Sequence, residues 1–332
     1  MTPFEAVQRV IHCLDRVHES GFKTKAFVRA LDVLKALPPG EIEARATDNT
    51  LTQLDGIGDA TARLIKETLR GETGYLDKIE AETPVPITAE GAAYRAALRG
   101  DCHMHSRWSD GSAPIETMAR NAMALGHDYM VQTDHSGRLT VAHGLNRDRL
   151  VAQLDEIAEL NSRLAPFRIL TGMEVDILED GALDLDDDLL ARLDVVVASV
   201  HSKLSMERSA MTQRMVLAVA NPHVDILGHC TGRMIGRRPQ SAFDADYVFA
   251  ACAQFGTAVE INCRPERLDP PPDLLEIALD YGCYFSIDSD AHSTGQLEWL
   301  PHGCDIAAAG KVPVERIVNS WSAEELLGWA AA

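Results

Sequence analysis

A chain of 332 residues with 46% apolar content can fill one large core and a smaller companion, and its net charge of −19 (31 Lys plus Arg against 50 Asp plus Glu) excludes a broad basic sheath around nucleic acid. Chemistry on a nucleic acid is not excluded, because bound cations would supply local positive charge. Seven cysteines without a C-x-x-C pair point to reduced thiols in a cytoplasmic setting, and the sequence shows neither a signal-peptide pattern nor an apolar run of membrane-spanning length.

Residues 1–82 predict an all-helical domain. Thr2-Pro3 is an N-cap and first-turn pair, followed at helical spacing by Phe4, Val7, Ile11 and Leu14. Phe27, Leu31, Leu34 and Leu37 repeat that spacing until "PPG" at 38–40 stops it. In "LTQLDGIGDATARLIKETLRG" (51–71), Gly56 and Gly58 punctuate a tight turn. Asp59 is placed to cap the next helix, and Leu64, Ile65 and Leu69 should face inward. Residues 83–99 begin with two prolines and read as a linker ending in a short helix, which makes this the domain boundary.

Beyond residue 100, apolar runs alternate with helical patterns. The runs are "YMVQT" (129–133), "RILTGMEV" (168–175), "VVVASV" (195–200), "VDILGH" (224–229), "TAVEIN" (257–262) and "CYFSID" (283–288), with "RIVN" (316–319) as a further candidate strand. Helices are expected at 114–125, 147–163, 206–220, 244–255 and 272–281. This alternation predicts parallel βα units, and seven or so in about 230 residues suit a barrel better than an open sheet.

Polar residues follow these runs in a consistent way. "DCHMHSRWSDG" (101–111) sets His103 and His105 two apart, on one side of an extended chain. "YMVQT" is followed by Asp134 and His135, "ILTGM" by Glu174, "VVVASV" by His201, "VDILG" by His229, and "CYFSIDS" by Asp290 and His292. In a parallel barrel every strand ends on the same face, where active sites form. One strand-end histidine is usually a polar surface residue, and an H-x-H pair alone is a weak signal. Six strand ends delivering imidazoles and carboxylates to one mouth predict a metal site.

On "DCHMHSRWSDG", "TDHS", "GMEVDIL", "ASVH", "GHCTGR", "EINCRPERLD" and "DSDAH", residues 100–325 resemble the PHP (polymerase and histidinol phosphatase) family. They are most similar to the PHP domain attached to bacterial family X DNA polymerases. The resemblance implies an α/β fold, a distorted seven-stranded TIM-like barrel. It also implies up to three divalent ions on nine ligands: His103, His105, Asp110, His135, Glu174, His201, His229, Asp290 and His292. The implied sets are His103, His105, Glu174 and Asp290; Glu174, His201 and His229; and Asp110, His135 and His292. Glu174 would bridge two ions and, with Asp290, be essential to catalysis. Asp134 would support His135 or cap a helix. The mixed nitrogen and oxygen set suits Zn²⁺, Mn²⁺ or Fe²⁺. Adjacent metals of this kind activate water and clamp the oxygens of a displacement at phosphorus, so phosphoester hydrolysis is the implied reaction.

Lys203, Arg233 and Arg267, with Arg264, are the basic residues best placed to bind substrate phosphates, and His143 is a weaker candidate for the mouth. Asp184 and Asp186 in "LDLDDD" read as caps and solvated charge, not as a polymerase metal pair. The N-terminal stretch resembles the helix–hairpin–helix domain of family X polymerases, with backbone N–H groups near Gly56 and Gly58 facing a DNA phosphate. The Schiff-base lysine of the related lyase domain falls here on Leu64, with Lys66 displaced around the helix, which argues against lyase chemistry. No polymerase palm is legible between linker and barrel. These features predict a metal-dependent phosphoesterase acting on DNA ends or abasic sites. The alternatives are a phosphatase or phosphodiesterase for a small phosphorylated metabolite or nucleotide, and a non-catalytic DNA-binding adaptor. The complete donor set argues against the adaptor. Residues 1–82 carry a net charge of only −3, so any DNA binding should be weak and salt-sensitive.

Overall fold

Thr2 starts the chain's first helix with a capping box: its side chain accepts from the Glu5 N–H, and the Glu5 carboxylate accepts from the Thr2 N–H. The computed structural model describes residues 1–18 and 21–332 and divides into two units, Met1–Val85 and Pro86–Ala332. The first unit holds α1 (Pro3–Arg16), α2 (Phe22–Ala36), α3 (Glu41–Thr47), α4 (Asp59–Leu69) and α5 (Gly74–Glu82). Val7, Val10 and Leu14 meet Phe27, Leu34, Leu64, Ile65 and Ile79 in a core of its own. Two local expectations are corrected. Gly58 occupies the N-cap of α4 without a side-chain bond, and Asp59 lies inside the first turn, where its charge favours the helix dipole. Leu69 is 37% exposed, because the last turn of α4 rolls it off the buried stripe. Gly56 has φ +97°, and a Cβ there would press on Arg29 and Val33, so the hairpin needs a glycine.

In the second unit, α6 (Ala89–Ala97) is capped by Thr88, whose N–H also donates to Asp305 Oδ1 (3.0 Å). The later half of the stretch 83–99 is therefore bound into this unit. Seven strands follow: β1 (Gly100–Asp101), β2 (Tyr129–Gln132), β3 (Arg168–Asp176), β4 (Val195–Ser199), β5 (Ile226–Leu227), β6 (Ala258–Asn262) and β7 (Phe285–Asp288). They run in sequence order and all pair in parallel. Between and after them lie α7 (Ile115–Ala124), α8 (Arg147–Leu164), α9 (Asp187–Leu190), α10 (Arg208–Val219), α11 (Ala245–Phe255), α12 (Pro272–Asp280), α13 (Leu300–Gly310) and α14 (Ala323–Ala330). Helices cover the outside, so strands such as Val195–Ser199 are buried on both faces and read as unbroken apolar runs.

"RIVN" is not a strand. It lies across two short 3₁₀ turns, Val314–Arg316 and Val318–Ser320, and makes a single parallel bridge from Ile317 to Phe285. The segment instead fills the seam between β7 and β1. Asn319 Nδ2 donates to the carbonyls of Gly100 (3.1 Å) and Ile287 (2.7 Å), and its Oδ1 accepts from the Ile287 N–H (3.1 Å). One buried amide thus supplies pairing that an eighth strand would have supplied. Among the described residues, no helix is long and apolar enough to cross a membrane.

Candidate metal centre

The loop after β1 carries the first donors. His103 and His105 are both fully buried. The chain folds back over them at Gly111, where a Cβ would stand 2.7 Å from the His105 carbonyl, so the return of Asp110 to the cluster depends on glycine. Asp134 is buried at the end of β2 and caps no helix. It accepts from the Ser106 and Ser109 N–H groups and from the side chains of Gln132 and Gln153, and so holds the loop. β3 contributes Glu174 and the loop after β4 contributes His201. The turns after β5 and β7 contribute His229 (φ 21°) and Asp290 (φ 52°), both in left-handed backbone of a kind that concentrates at functional sites.

All nine candidate donors converge on this face. Glu174 lies at the centre. Its Oε1 is 2.8 Å from His229 Nε2 and 3.1 Å from His201 Nε2. Its Oε2 is 2.8 Å from His135 Nδ1, 3.3 Å from His103 Nε2 and 3.6 Å from His105 Nε2. Asp290 Oδ1 is 3.5 Å from His105 Nε2, and Asp110 Oδ1 is 3.4 Å from His292 Nε2 and 3.6 Å from His135 Nε2. Three groupings are tight enough to hold an ion: His105, Asp110, His135 and His292; His103, His105 and Asp290; and His135, Glu174 and His201. They overlap the sets implied by resemblance but share donors differently. His105 joins the Asp110 group, and His135 stands with Glu174 and His201.

The donors fit divalent cations on a structural observation. His103 Nε2, both ring nitrogens of His105, His135 Nδ1, Glu174 Oε2 and His229 Nδ1 are buried without a hydrogen bond. Unpartnered buried polar atoms are rare, and each costs on the order of 1–3 kcal/mol. His103 Nε2, His105 Nε2 and His135 Nδ1 all lie within 3.6 Å of Glu174 Oε2, as donors waiting for positive charge would. Other contacts orient the rings. His103 Nδ1 donates to Glu260 Oε1 (2.6 Å), His201 Nδ1 to Asp176 Oδ1 (3.2 Å), and His292 Nδ1 to the Asp290 carbonyl (2.9 Å). Each bond directs the Nε2 lone pair inward. Sequence reasoning missed Glu260 and Asp176. Their signal is an acid inside a strand that is otherwise apolar and buried.

Burial and neighbouring charge shift these groups strongly. Burial alone would raise the Glu174 carboxyl, but the charges of His201, His103 and His135 hold it well below the usual range. Burial likewise opposes ionisation of Asp290, yet the close approach of His105 (3.5 Å) and the charges of His103 and Arg267 keep it well below the usual range. His105 is pushed well down by burial and by the neighbouring His292 and His135, which leaves a neutral imidazole.

A cavity of about 260 Å³ opens above the donors, and Arg264 and Arg267 line it. Arg267 Nε is 3.3 Å from Asp290 Oδ2. Lys203 and Arg233 are not among the lining side chains. Lys203 is exposed and lies 3.9 Å from Glu179, while Arg233 donates to the carbonyls of Arg267 and Leu268 and so braces the loop that carries Arg267. His143 is exposed and also off the lining. Asp184 accepts from the Arg138 N–H, and Asp186 sits at the N-cap of α9, away from the donors. In the helical unit, Gly56 and Gly58 border a separate cleft of about 580 Å³ with Lys25 and Arg29. Leu64 is buried in that unit's core, and Lys66 donates to Asn49 Oδ1 (2.8 Å).

Residues 101–263 match the family model described as the PHP domain. The DNA polymerase/3'-5' exonuclease PolX of Bacillus subtilis (strain 168) is 41% identical over 229 residues, covering 69% of this chain. The chain spans only 40% of that protein's length. A probable phosphatase of Thermoanaerobacter sp. (strain X514) is 32% identical over 204 residues, which are 58% of this chain and 78% of that protein. Among solved structures, the histidinol phosphate phosphatase of Lactococcus lactis superposes with a TM-score of 0.45 at 18% identity, over 64% of this chain and 93% of that one.

Proposed function

This chain belongs to the PHP domain family and is a metal-dependent phosphoesterase, and from that premise we propose that it hydrolyses phosphoester bonds at DNA ends or abasic sites, in repair. The observation that carries the reading is the recess. Glu174, His229 and Asp290 are each at most 2% exposed and line a cavity of about 260 Å³, and the fully buried His103 and His105 contact Glu174 from off that lining. That volume lies below the roughly 300–1,000 Å³ of clefts for drug-sized ligands. A chain end can bring one phosphoryl group into such a cavity, whereas the backbone of an uninterrupted duplex is too broad to enter. Similarity to a protein named as a 3'-5' exonuclease supports the same reading.

In this reading His103, His105, Glu174 and Asp290 would hold one ion, Glu174, His201 and His229 a second, and Asp110, His135 and His292 a third. When bound, such ions would polarise phosphoryl oxygens and bring the pKa of water towards neutrality. The chain's own residues do the rest. Arg264 and Arg267 would receive the non-bridging oxygens, while Glu260 and Asp176 keep His103 and His201 in register. No hydroxyl or thiol side chain lines the cavity among the described residues, and its histidines and carboxylates are the ones that would hold the ions, so water would be the nucleophile. Its oxygen would bond to phosphorus as the ester P–O bond breaks; the water gives up one proton and the departing oxygen takes one up, so the step balances. In the helical unit, N–H groups around Gly56 and Gly58 would hold a DNA phosphate.

The second reading, a phosphatase for a small metabolite, is favoured by the similarity to a probable phosphatase. A panel with Mn²⁺ separates the two: a 3′-ended oligonucleotide, an abasic duplex, mononucleotides and histidinol phosphate. The DNA reading predicts the highest kcat/KM on one of the first two. Turnover confined to the small phosphates would replace it with the second.

A further inference from the structure

Beside the donors, the cavity has an apolar rim. Leu139 and Val141, from the loop after β2, and Met234, from the loop after β5, line the same space as Glu174 and Asp290. β2 and β5 are three places apart in the ring of seven strands, so their loops rise on different sides of the mouth. Val141 is 86% exposed, and Ile235, next to Met234, is 52% exposed. A single exposed valine is ordinary on a protein surface. Apolar side chains brought by two separate loops to one reactive cavity are a surface for something to cover.

Both rims are held firmly. In the first, the Leu145 N–H donates to the His135 carbonyl (2.8 Å), and the Arg138 N–H to Asp184 Oδ2 (2.6 Å). In the second, Met234 and Arg238 exchange backbone bonds of 2.9 and 2.8 Å, and the Ile235 N–H donates to the Glu266 carbonyl (2.6 Å). A rim already ordered loses little entropy when substrate arrives.

The lining carboxylates are all engaged. Asp110 stands 3.4 Å from His292, Glu174 2.8 Å from His229, and Asp290 3.5 Å from His105. None is left to pair with an ammonium group on a substrate. We propose that Val141 and Met234 are specificity-determining residues: they cover the uncharged sugar and base of a nucleoside attached to the phosphoryl group, and the cavity discriminates against phosphoesters that carry an ammonium group. This rests on the phosphoesterase reading of the same site.

The test compares kcat/KM of the full-length, Mn²⁺-loaded protein on thymidine 3′-phosphate, glycerol phosphate and phosphoethanolamine. The wild type should prefer the nucleotide to glycerol phosphate, and phosphoethanolamine should rank last. Val141→Asp should lower the nucleotide-to-glycerol-phosphate ratio by about tenfold, through KM, and raise phosphoethanolamine relative to glycerol phosphate. Met234→Ala should lower the first ratio by about three- to tenfold. Val141 is too exposed for its replacement to threaten folding, so a loss cannot be assigned to a misfolded chain. Unchanged ratios in both variants, with glycerol phosphate still hydrolysed, would overturn the rim's role and leave the phosphoesterase reading standing. Turnover of none of the three, nor of any DNA end, by the wild type would overturn both.

Discussion

Glu260 binds two of the candidate donors at once. Its Oε1 accepts from His103 Nδ1 at 2.6 Å and its Oε2 from the His229 N–H at 2.5 Å, so one carboxylate sets both positions. Glu260→Gln turns an amide N–H towards one of those donors and removes the charge that orients His103. It should weaken metal retention by about 10- to 100-fold, measured by competition with a chelator. Unchanged retention would show that His103 is held by packing alone. A second residue governs acid stability away from the site. Burial, and then the charge of Arg95, push His127 down to about 3. Its folded pKa is below its unfolded one, so its contribution is fully present above about pH 6.5 and is lost as pH falls, because only the unfolded chain takes the proton. The wild type should lose about 2 kcal/mol from this group between pH 6.5 and 5. Denaturant curves should show His127→Gln losing less over the same range, and identical slopes would refute the assignment. At this scale most of the donors were legible because they follow the end of an apolar run; His103 and His105 showed as an H-x-H pair, and Asp110 came only from the family resemblance. Glu260 and Asp176 were not, because an acid within a buried strand resembles ordinary alternation until its partner ring is seen.

At the scale of elements, the barrel depends on how β1 meets β7. Asn319→Ala removes the amide that serves Gly100 and Ile287 and leaves the Ile287 N–H and two carbonyls unpaired in the interior. The expected loss is about 2–4 kcal/mol of stability, read as a lower denaturant midpoint. Asn319→Asp should restore only the accepting half. A midpoint within error of the wild type for the alanine variant would mean that the seam is closed by packing. Six of the seven strands were legible from their apolar runs and from the turns between them; β1, only Gly100–Asp101, has no such run. "RIVN" reads as a candidate strand because it is a short β-branched run, and Ile317, Val318 and Asn319 are indeed buried as strand residues are. Nothing local reveals that a side chain, not the backbone ladder, does the pairing. α13 escaped notice because Pro301 and Gly303 interrupt its pattern. Gly303 is needed there, since a Cβ would stand 2.4 Å from Cys263 Sγ, a contact made only in the folded barrel.

Among the described residues the molecule has four clusters of buried apolar side chains that share no buried residue, one within Met1–Val85 and three within Pro86–Ala332. Every candidate donor belongs to the second of these units. A chain lacking residues 1–85 should therefore still hydrolyse a small chromogenic phosphodiester. If the hairpin unit binds DNA, that chain should act on oligonucleotides with a raised KM and a shallower dependence on salt, since fewer counterions are released. Equal losses on both substrates would make the helical unit a stabiliser of the barrel. The proposals for substrate, rim and hairpin all depend on one claim, that the nine donors bind catalytic metal. The most direct measurement is elemental analysis of the full-length protein after reconstitution with Zn²⁺, Mn²⁺ or Fe²⁺, alongside Glu174→Ala. The account predicts two to about three ions per wild-type chain and a loss of at least about one in the variant, as expected if Glu174 joins two ions. Less than about one ion per wild-type chain, with every one of these metals, would contradict it.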